Sequence, residues 1–447
     1  MSLGVFGRLT DAPASLLLAG VRVIDPSDGT DAIRDLAIHE GRFVDHAPAD
    51  AERVDGHGLI AAPGFCDLHV HLRDPGDPAT ETIETGARAA AKGGFTTICA
   101  MPNTDPPLDR PELVTALRER AAATACRIRA IGAATLGRRG ERVADLGGMI
   151  GAGAIGFSDD GTAIPTDDLA RSILSVLANL SVPLIEHAED AALAGAGVMR
   201  AGPNASRLGL VGWPPEAEWT IVERDLALAE ETGAHLHLTH LSTAPSVKAV
   251  RNAKARGVNV TCDVTPHHLA LTDAWVAGSR RFAWEQPEDG DLRIAYDGAC
   301  RVNPPLASRE DALALLAGLA DGTIDAIATD HAPHPLERKL MPFEEAAPGL
   351  IGLETALSLG LAAVAGGALE LPILLAALST RPAAIIGESR SLAIGAPADL
   401  VVFNPTANWR MHADSLASAS SNTPLLGREL PGVVRLTVAG GRVTYRL

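Results

Sequence analysis

The chain lacks the features that mark nucleic-acid-binding, disulfide-stapled or membrane proteins. No stretch of five or more Lys/Arg interrupts a formal charge of -17, so neither the overall field nor a local patch favours a nucleic acid. The five cysteines (66, 99, 126, 262 and 300) are odd in number and scattered through apolar runs. That argues against a disulfide framework and for reduced, structural thiols in a cytoplasmic protein. The longest early apolar run, Ala14 to Val23, is short, broken by Gly20 and without a cleavable-signal layout. It reads as a first β-strand, and neither a membrane span nor secretion is expected. There is no repeat of fixed period, and residues 1–14 carry no clear pattern.

What is present suits a large core. Hydrophobic residues make up 47% of the 447 positions and charged residues 21%, far from a disordered composition. The length fits one barrel-sized domain plus a smaller one. Residues 15–60 alternate short β-rich runs with turns: Leu16 to Pro26, Asp35 to Ile38 and Gly41 to Val44. After Pro63-Gly64 the texture becomes strand, turn and Ala-rich helix. Eight strands are expected: Phe65 to Leu72, Phe95 to Met101, Arg127 to Ala134, Ala154 to Ser158, Pro183 to His187, His235 to His240, Val258 to Val264 and Ile324 to Thr329. Helical stretches such as Thr82 to Lys92 and Glu218 to Thr232 separate most of them, which predicts an α/β fold with a parallel (β/α)8 barrel. Short β patterns return in Ala398 to Pro405 and Val433 to Tyr445. The expected division is a barrel at 63–388 and a small β-sandwich domain assembled from 1–62 and 389–447.

Polar residues gather where the strands end. His69 and His71 are two apart, so in an extended strand both rings point the same way and can chelate one cation. Alone, the pair is more readily read as a strand with two half-buried histidines on one face. The other strand ends add Asp159-Asp160-Gly161, Glu186-His187, Thr239-His240 and Asp330-His331-Ala332-Pro333-His334. The C-terminal rim is where a barrel of this kind carries its chemistry. Imidazole and carboxylate donors favour a borderline divalent ion such as Zn²⁺, with Mn²⁺ or Co²⁺ as alternatives. Six ligands exceed one tetrahedral ion and suit two ions that share a bridging group.

These residues resemble type I bacterial dihydroorotase, within the cyclic amidohydrolase superfamily. The resemblance spans roughly residues 15–447. It rests on Pro63-Gly64-Phe65-Cys66-Asp67-Leu68-His69-Val70-His71-Leu72-Arg73-Asp74-Pro75-Gly76, Glu81-Thr82-Ile83-Glu84-Thr85-Gly86, Gly93-Gly94-Phe95-Thr96-Thr97 and Met101-Pro102-Asn103-Thr104. Further segments are Phe157-Ser158-Asp159-Asp160-Gly161, Val264-Thr265-Pro266-His267-His268, Asn303-Pro304-Pro305 and Ala328-Thr329-Asp330-His331-Ala332-Pro333-His334.

The resemblance implies that His69, His71 and Asp330 hold one ion and His187 and His240 the other. Asp160 and a hydroxide would bridge two Zn²⁺ per chain. Spacing alone does not separate Asp160 from Asp159; the resemblance selects Asp160 and leaves Asp159 to brace the turn. The superfamily often bridges its metals with a carboxylated lysine, but the four lysines here (92, 248, 254 and 339) include none in the fourth strand. That departure favours dihydroorotase over hydantoinase or dihydropyrimidinase. The implied reaction is reversible cyclisation of N-carbamoyl-L-aspartate to L-dihydroorotate in pyrimidine synthesis. Asp330 would take the proton from the attacking water and deliver it to the departing nitrogen. The implied substrate contacts are Arg73, Asn103, Asn303, His334, Pro348 and Gly349. In so acidic a protein, Arg73 supplies a local cationic fork for the substrate carboxylate.

His235 and His237 share a strand run with His240, and packing or support roles are expected for both, as for His267 and His268. The polar stretch Gly278 to Tyr296, with Trp284, Glu285, Glu288, Asp289 and Asp291, reads as a solvated loop, with a cover over the barrel mouth as the alternative. Two other functions compete: another cyclic amidohydrolase of hydantoinase or allantoinase type, and a non-catalytic partner of aspartate transcarbamoylase. The expected partners are a small-molecule substrate, a second copy in a homodimer and, compatibly with activity, aspartate transcarbamoylase.

Overall fold

The computed structural model describes residues 3–287 and 295–447. Eight parallel strands follow one another in chain order: β1 (Phe65–Val70), β2 (Phe95–Ala100), β3 (Arg127–Ala133), β4 (Ala154–Ser158), β5 (Leu184–Glu186), β6 (Leu236–Leu238), β7 (Val260–Val264) and β8 (Ala326–Ile327). Each lies inside one of the eight segments expected from the sequence. Apolar strand residues such as Phe65, Ile98, Phe157 and Leu236 share a continuous buried cluster with helix residues Ala87, Leu174 and Val250.

The barrel is pinned shut by side chains more than by backbone. Between β8 and β1 the ladder shrinks to an isolated bridge of Val70 with His331 and a 2.9 Å bond from the His71 N–H to the His331 carbonyl. Asp67, fully buried on β1, accepts from the Thr329 N–H at 3.0 Å, from the Thr329 hydroxyl, and from the His69 N–H at 3.1 Å. One carboxylate therefore ties the first strand to the corner that carries Asp330. Burial pushes the Asp67 carboxyl up to about 6, against the pull of those hydrogen bonds.

Local chemistry sets the crossover helices. The helix Ile83–Gly93 starts at Thr82, whose hydroxyl accepts the Thr85 N–H at 3.1 Å, and stops at Gly94 with φ 91°. A Cβ on Gly94 would stand 2.6 Å from Val401 Cγ2 in the outer sheet, so only glycine allows both the left-handed turn and the close approach.

Both chain ends build one nine-stranded sheet. Its path runs Val5–Phe6, Arg442–Arg446, Glu429–Ala439, Leu400–Arg410, Ile60–Pro63, Leu16–Asp25, Thr30–His39 and Arg42–Val44, with Glu52–Asp55 beside Leu16–Asp25. Val5–Phe6 had no strand signal of its own; it is ordered by antiparallel pairing with Tyr445 and Arg446. Between β5 and β6 sits an unforeseen insertion, the two-stranded parallel sheet of Met199–Arg200 and Gly212–Trp213. Two residues per strand are too few for any periodic pattern.

Within Gly278 to Tyr296, Trp284 stacks on Phe282 at 4.9 Å and the Tyr296 hydroxyl donates to the Leu208 carbonyl at 2.8 Å. Glu288, Asp289 and Asp291 lie outside the described residues. Among the described residues no helix is long and apolar enough to cross a membrane, and the five cysteines are free and buried.

Replacing Asp67 by Ala orphans the Thr329 and His69 donors, which costs about 1–3 kcal/mol. The expected result, read by thermal denaturation, is a midpoint lowered by several degrees together with weaker metal retention, because the Thr329–Asp330 corner loses its anchor.

Candidate active site

The residues at the site are presented by backbone that leaves its strand abruptly. Among the described residues six non-glycines have positive φ, and three of them, Arg73 (53°), His240 (41°) and Asp330 (46°), face the barrel mouth. A fourth, Arg138 (54°), donates to the carbonyls of Asp159 and Asp160. Such conformations are costly for residues with a Cβ and persist only where surrounding contacts impose them. Here β6 and β8 end early so that His240 and Asp330 can turn inward.

Six side chains from five strand ends converge. His69 Nε2 lies 3.4 Å from Asp160 Oδ1, and His71 Nε2 lies 3.6 Å from Asp160 Oδ2. His187 Nδ1 and His240 Nε2 also approach Asp160 Oδ1, at 3.5 and 3.6 Å. Asp330 Oδ1 stands 3.1 Å from His71 Nε2 and 3.5 Å from His69 Nε2. Two triads, His69/His71/Asp160 and Asp160/His187/His240, each bring their ligand atoms within 4.8 Å of one another. All six residues are buried.

This donor set fits a divalent metal ion. His69 Nε2 and Asp160 Oδ1 are buried atoms without a hydrogen-bond partner, and two ring nitrogens, His187 Nδ1 and His240 Nε2, meet at 2.9 Å. Buried polar atoms left this way are expensive unless a cation or proton joins them.

Supporting groups aim the nitrogens. The Thr239 hydroxyl donates to the Asp263 carboxylate at 3.1 Å, so it must accept the His69 Nδ1–H at 2.8 Å. That tautomer leaves the Nε2 lone pair free. Asp263 also accepts the His240 N–H at 2.7 Å and contacts His237 Nε2 at 2.9 Å. His71 Nδ1 donates to Asn103 Oδ1 at 2.7 Å, and the same amide donates to Asp160 Oδ2 at 3.1 Å. Asn103 thus orients the cluster while lining the cavity above it. Asp159 faces the other way, accepting from the Thr135 N–H at 3.0 Å and from its hydroxyl.

A cavity of about 230 Å³ opens above the cluster, and Arg73, Asn103, Asn303, His334, Pro348 and Gly349 all line it. Among the described residues no carboxylate pairs with Arg73; its Nε donates to the Pro333 carbonyl at 3.2 Å. Asn303 donates to Glu189 Oε2 at 2.8 Å, and that carboxylate sits 3.6 Å from His187 Nε2. His268 Nε2 donates to the Pro304 carbonyl at 3.0 Å, supporting the segment that carries Asn303. His235 bonds Thr261, away from the cavity. None of the four lysines lines it.

Burial alone would lower His69 and His187. The carboxylates of Asp160 and Asp330 outweigh it at His69, pushed up to about 9, and those of Asp160 and Glu189 do so at His187, pushed up to about 10. Burial would raise Asp160 and Asp330, but the facing imidazoles hold both well below the usual carboxylate range. Sequence reasoning missed Glu189, Thr239, Asp263 and Asp67. A buried carboxylate inside the Val-rich run 258–264 was the available signal for Asp263.

Several solved structures share this architecture along nearly the whole chain. An L-hydantoinase (dihydropyrimidinase) from Arthrobacter aurescens matches with a TM-score of 0.81 at 24% identity, covering 97% of this chain and 96% of that one. A D-hydantoinase (dihydropyrimidinase) from Thermus sp. matches at 0.78 and 25%, covering 96% and 95%. A donor cluster able to hold metal ions at the mouth of such a barrel, together with the relatives that follow, makes this chain a cyclic amidohydrolase. Residues 58–246 match the family model described as dihydro-orotase-like. Dihydroorotases from Pelobacter propionicus (43% identical, 97% of this chain and 100% of the relative) and Anaeromyxobacter sp. (44%, 96% and 98%) align end to end. The chain belongs to the dihydroorotase family.

Two measurements check the electrostatics. In metal-free protein the folded state binds more protons than the unfolded state between pH 6.5 and about 10, through His69 and His187. That contribution is complete below 6.5 and disappears as pH rises through about 9 and 10, so the melting temperature of chelator-treated protein falls across this window. Metal-loaded protein, with neutral imidazoles, escapes the fall. Replacing Thr239 by Val weakens metal affinity about 10- to 100-fold, measured by competition with a chromophoric chelator.

Proposed function

We propose that this chain is a dihydroorotase, interconverting N-carbamoyl-L-aspartate and L-dihydroorotate in pyrimidine synthesis with two divalent ions, zinc for preference. The observation that carries the reading is Arg73, without a carboxylate partner among the described residues, facing the six-residue donor cluster across one small cavity. Identity of 42–44% to dihydroorotases over essentially their full length supports it.

In this reading His69, His71 and Asp330 hold one ion, His187 and His240 the other, and Asp160 is shared. Ions bound there would supply a water of lowered pKa and a Lewis acid for the ring amide carbonyl. Arg73 supplies a bidentate fork to the substrate carboxylate, and Asn303, His334 and the Pro348–Gly349 backbone fix the ring's orientation. Asp330 is the catalytic acid and base: it accepts the water proton in hydrolysis and returns it to the departing ring nitrogen. Its imidazole neighbours keep it ionised at neutral pH, so position rather than basicity suits it to the task. The barrel at 63–388 is the catalytic domain in this proposal, the β-rich domain from both ends supports it, and the location is cytoplasmic. Homodimer formation and association with aspartate transcarbamoylase are measured separately, by light scattering and by co-purification.

The test is turnover of L-dihydroorotate by metal-loaded protein, with hydantoin, dihydrouracil and allantoin as carboxylate-free controls. Two bound metals without dihydroorotate turnover would sink the proposal. Asp330→Asn is expected to lower kcat by about 10²–10⁴-fold, and Arg73→Gln to raise KM for dihydroorotate about 10- to 100-fold with little effect on carboxylate-free rings.

A further inference from the structure

One buried cation has no part in the chemistry above. Lys339 closes the short helix Leu336–Lys339 and is only 4% exposed. Lys92 and Lys254 pair with Glu354 and Asp325 at 2.7 and 2.6 Å, and Lys248 is exposed. Lys339 has no carboxylate partner among the described residues. Its ammonium donates instead to three carbonyls: Arg301 at 2.8 Å, Ala347 at 2.8 Å and Gly349 at 2.9 Å. All three N–H donors are spent on backbone. Burial pulls the amine down to about 7, so the site carries a cost that packing alone does not explain.

Of the three residues whose carbonyls it gathers, Gly349 lines the substrate cavity and Ala347 adjoins the Pro348–Gly349 segment of its wall. Pro348 and Gly349 line that cavity, and the Gly349 N–H returns to the same Arg301 carbonyl at 2.9 Å. His334 Nε2 donates to the Pro348 carbonyl at 2.9 Å, and Asn422 donates to the Gly349 carbonyl at 3.1 Å while its own Oδ1 accepts the His334 N–H at 3.1 Å. Three consecutive carbonyl oxygens, on Ala347, Pro348 and Gly349, are thereby each held by a donor. Gly349, at φ 137°, cannot be replaced without collision, since a Cβ would stand 2.7 Å from that of Ala332. A wall of free carbonyl oxygens would repel a carboxylate, whereas a wall whose oxygens are drawn onto an ammonium does not.

We propose that Lys339 is a positioning residue for an anionic substrate: through its N–H donors it holds the Arg301, Ala347 and Gly349 carbonyls in place behind the Pro348–Gly349 rim. The inference rests on the dihydroorotase reading for the identity of the anion. It does not make Lys339 a catalytic residue, because the ammonium reaches backbone and not the cavity itself.

The experiment compares metal-loaded wild type with Lys339→Met, which keeps length and suits a buried site, and with Lys339→Gln, which retains one amide donor. KM for L-dihydroorotate rises at least about tenfold in Lys339→Met, kcat changes less than about threefold, and Lys339→Gln falls between. Amide hydrogen exchange over residues 347–352 is faster in Lys339→Met, while β1 to β4 are unchanged. A KM within about twofold of wild type, a loss confined to kcat, or unaltered exchange over 347–352 overturns the proposal. Wild type that turns over only carboxylate-free rings sinks the proposed function and leaves the exchange comparison to decide Lys339's hold on the rim.

Discussion

A single buried carboxylate, Asp160, is the point toward which the site is organised. Three imidazoles approach its Oδ1 within 3.4–3.6 Å, and a fourth meets Oδ2 at 3.6 Å. A carboxylate out of contact with water demands positive charge. At two of the imidazoles, His69 and His71, the supporting side chains leave a nitrogen lone pair, rather than an N–H group, pointing inward. Thr239 and Asp263 do this for His69, and Asn103 does it for His71. The result is a pair of donor sets that a cation completes.

Holding that arrangement requires the barrel to end irregularly. Regular strands would carry His240 and Asp330 outward along the sheet; left-handed backbone at both residues turns them across the mouth instead. The strain is offset by specific partners, the Asp263 carboxylate on the His240 N–H and the Asp67 clamp on Thr329 beside Asp330. The C-terminal segment contributes as well. Ser418 and the Ala419 N–H bind Glu81, which contacts His331 at 3.2 Å, and Asn422 ties His334 to Gly349. The loop 411–428, between two strands of the outer sheet, is therefore part of what positions the site.

Much of this was legible beforehand, for definite reasons. The barrel strands were visible because most are short apolar runs separated by Ala-rich helical stretches, a signal that local composition carries. The six donor residues and the six cavity residues could be named because strand-end His and Asp groups stand out against apolar runs, and because the motifs around them resemble a known family. Asn103 lay in that set as a substrate contact, yet its amide also spans His71 and Asp160, a role that spacing could not reveal. Val5–Phe6 and the Met199–Arg200/Gly212–Trp213 pair went unrecognised, since two-residue strands exist only through their partners.

The order of strands and helices, the rim location of the donors, and the absence of a lysine from β4 were settled by the sequence, because each follows from residue type and periodicity along the chain. Asp160 was chosen over Asp159 through the family resemblance and not by spacing, whereas the carboxylate Glu189 beside His187 and the burial of Lys339 against three carbonyls were decided only by the tertiary structure. Those features depend on the directions of side chains brought together across hundreds of residues, and no local pattern encodes a direction in space.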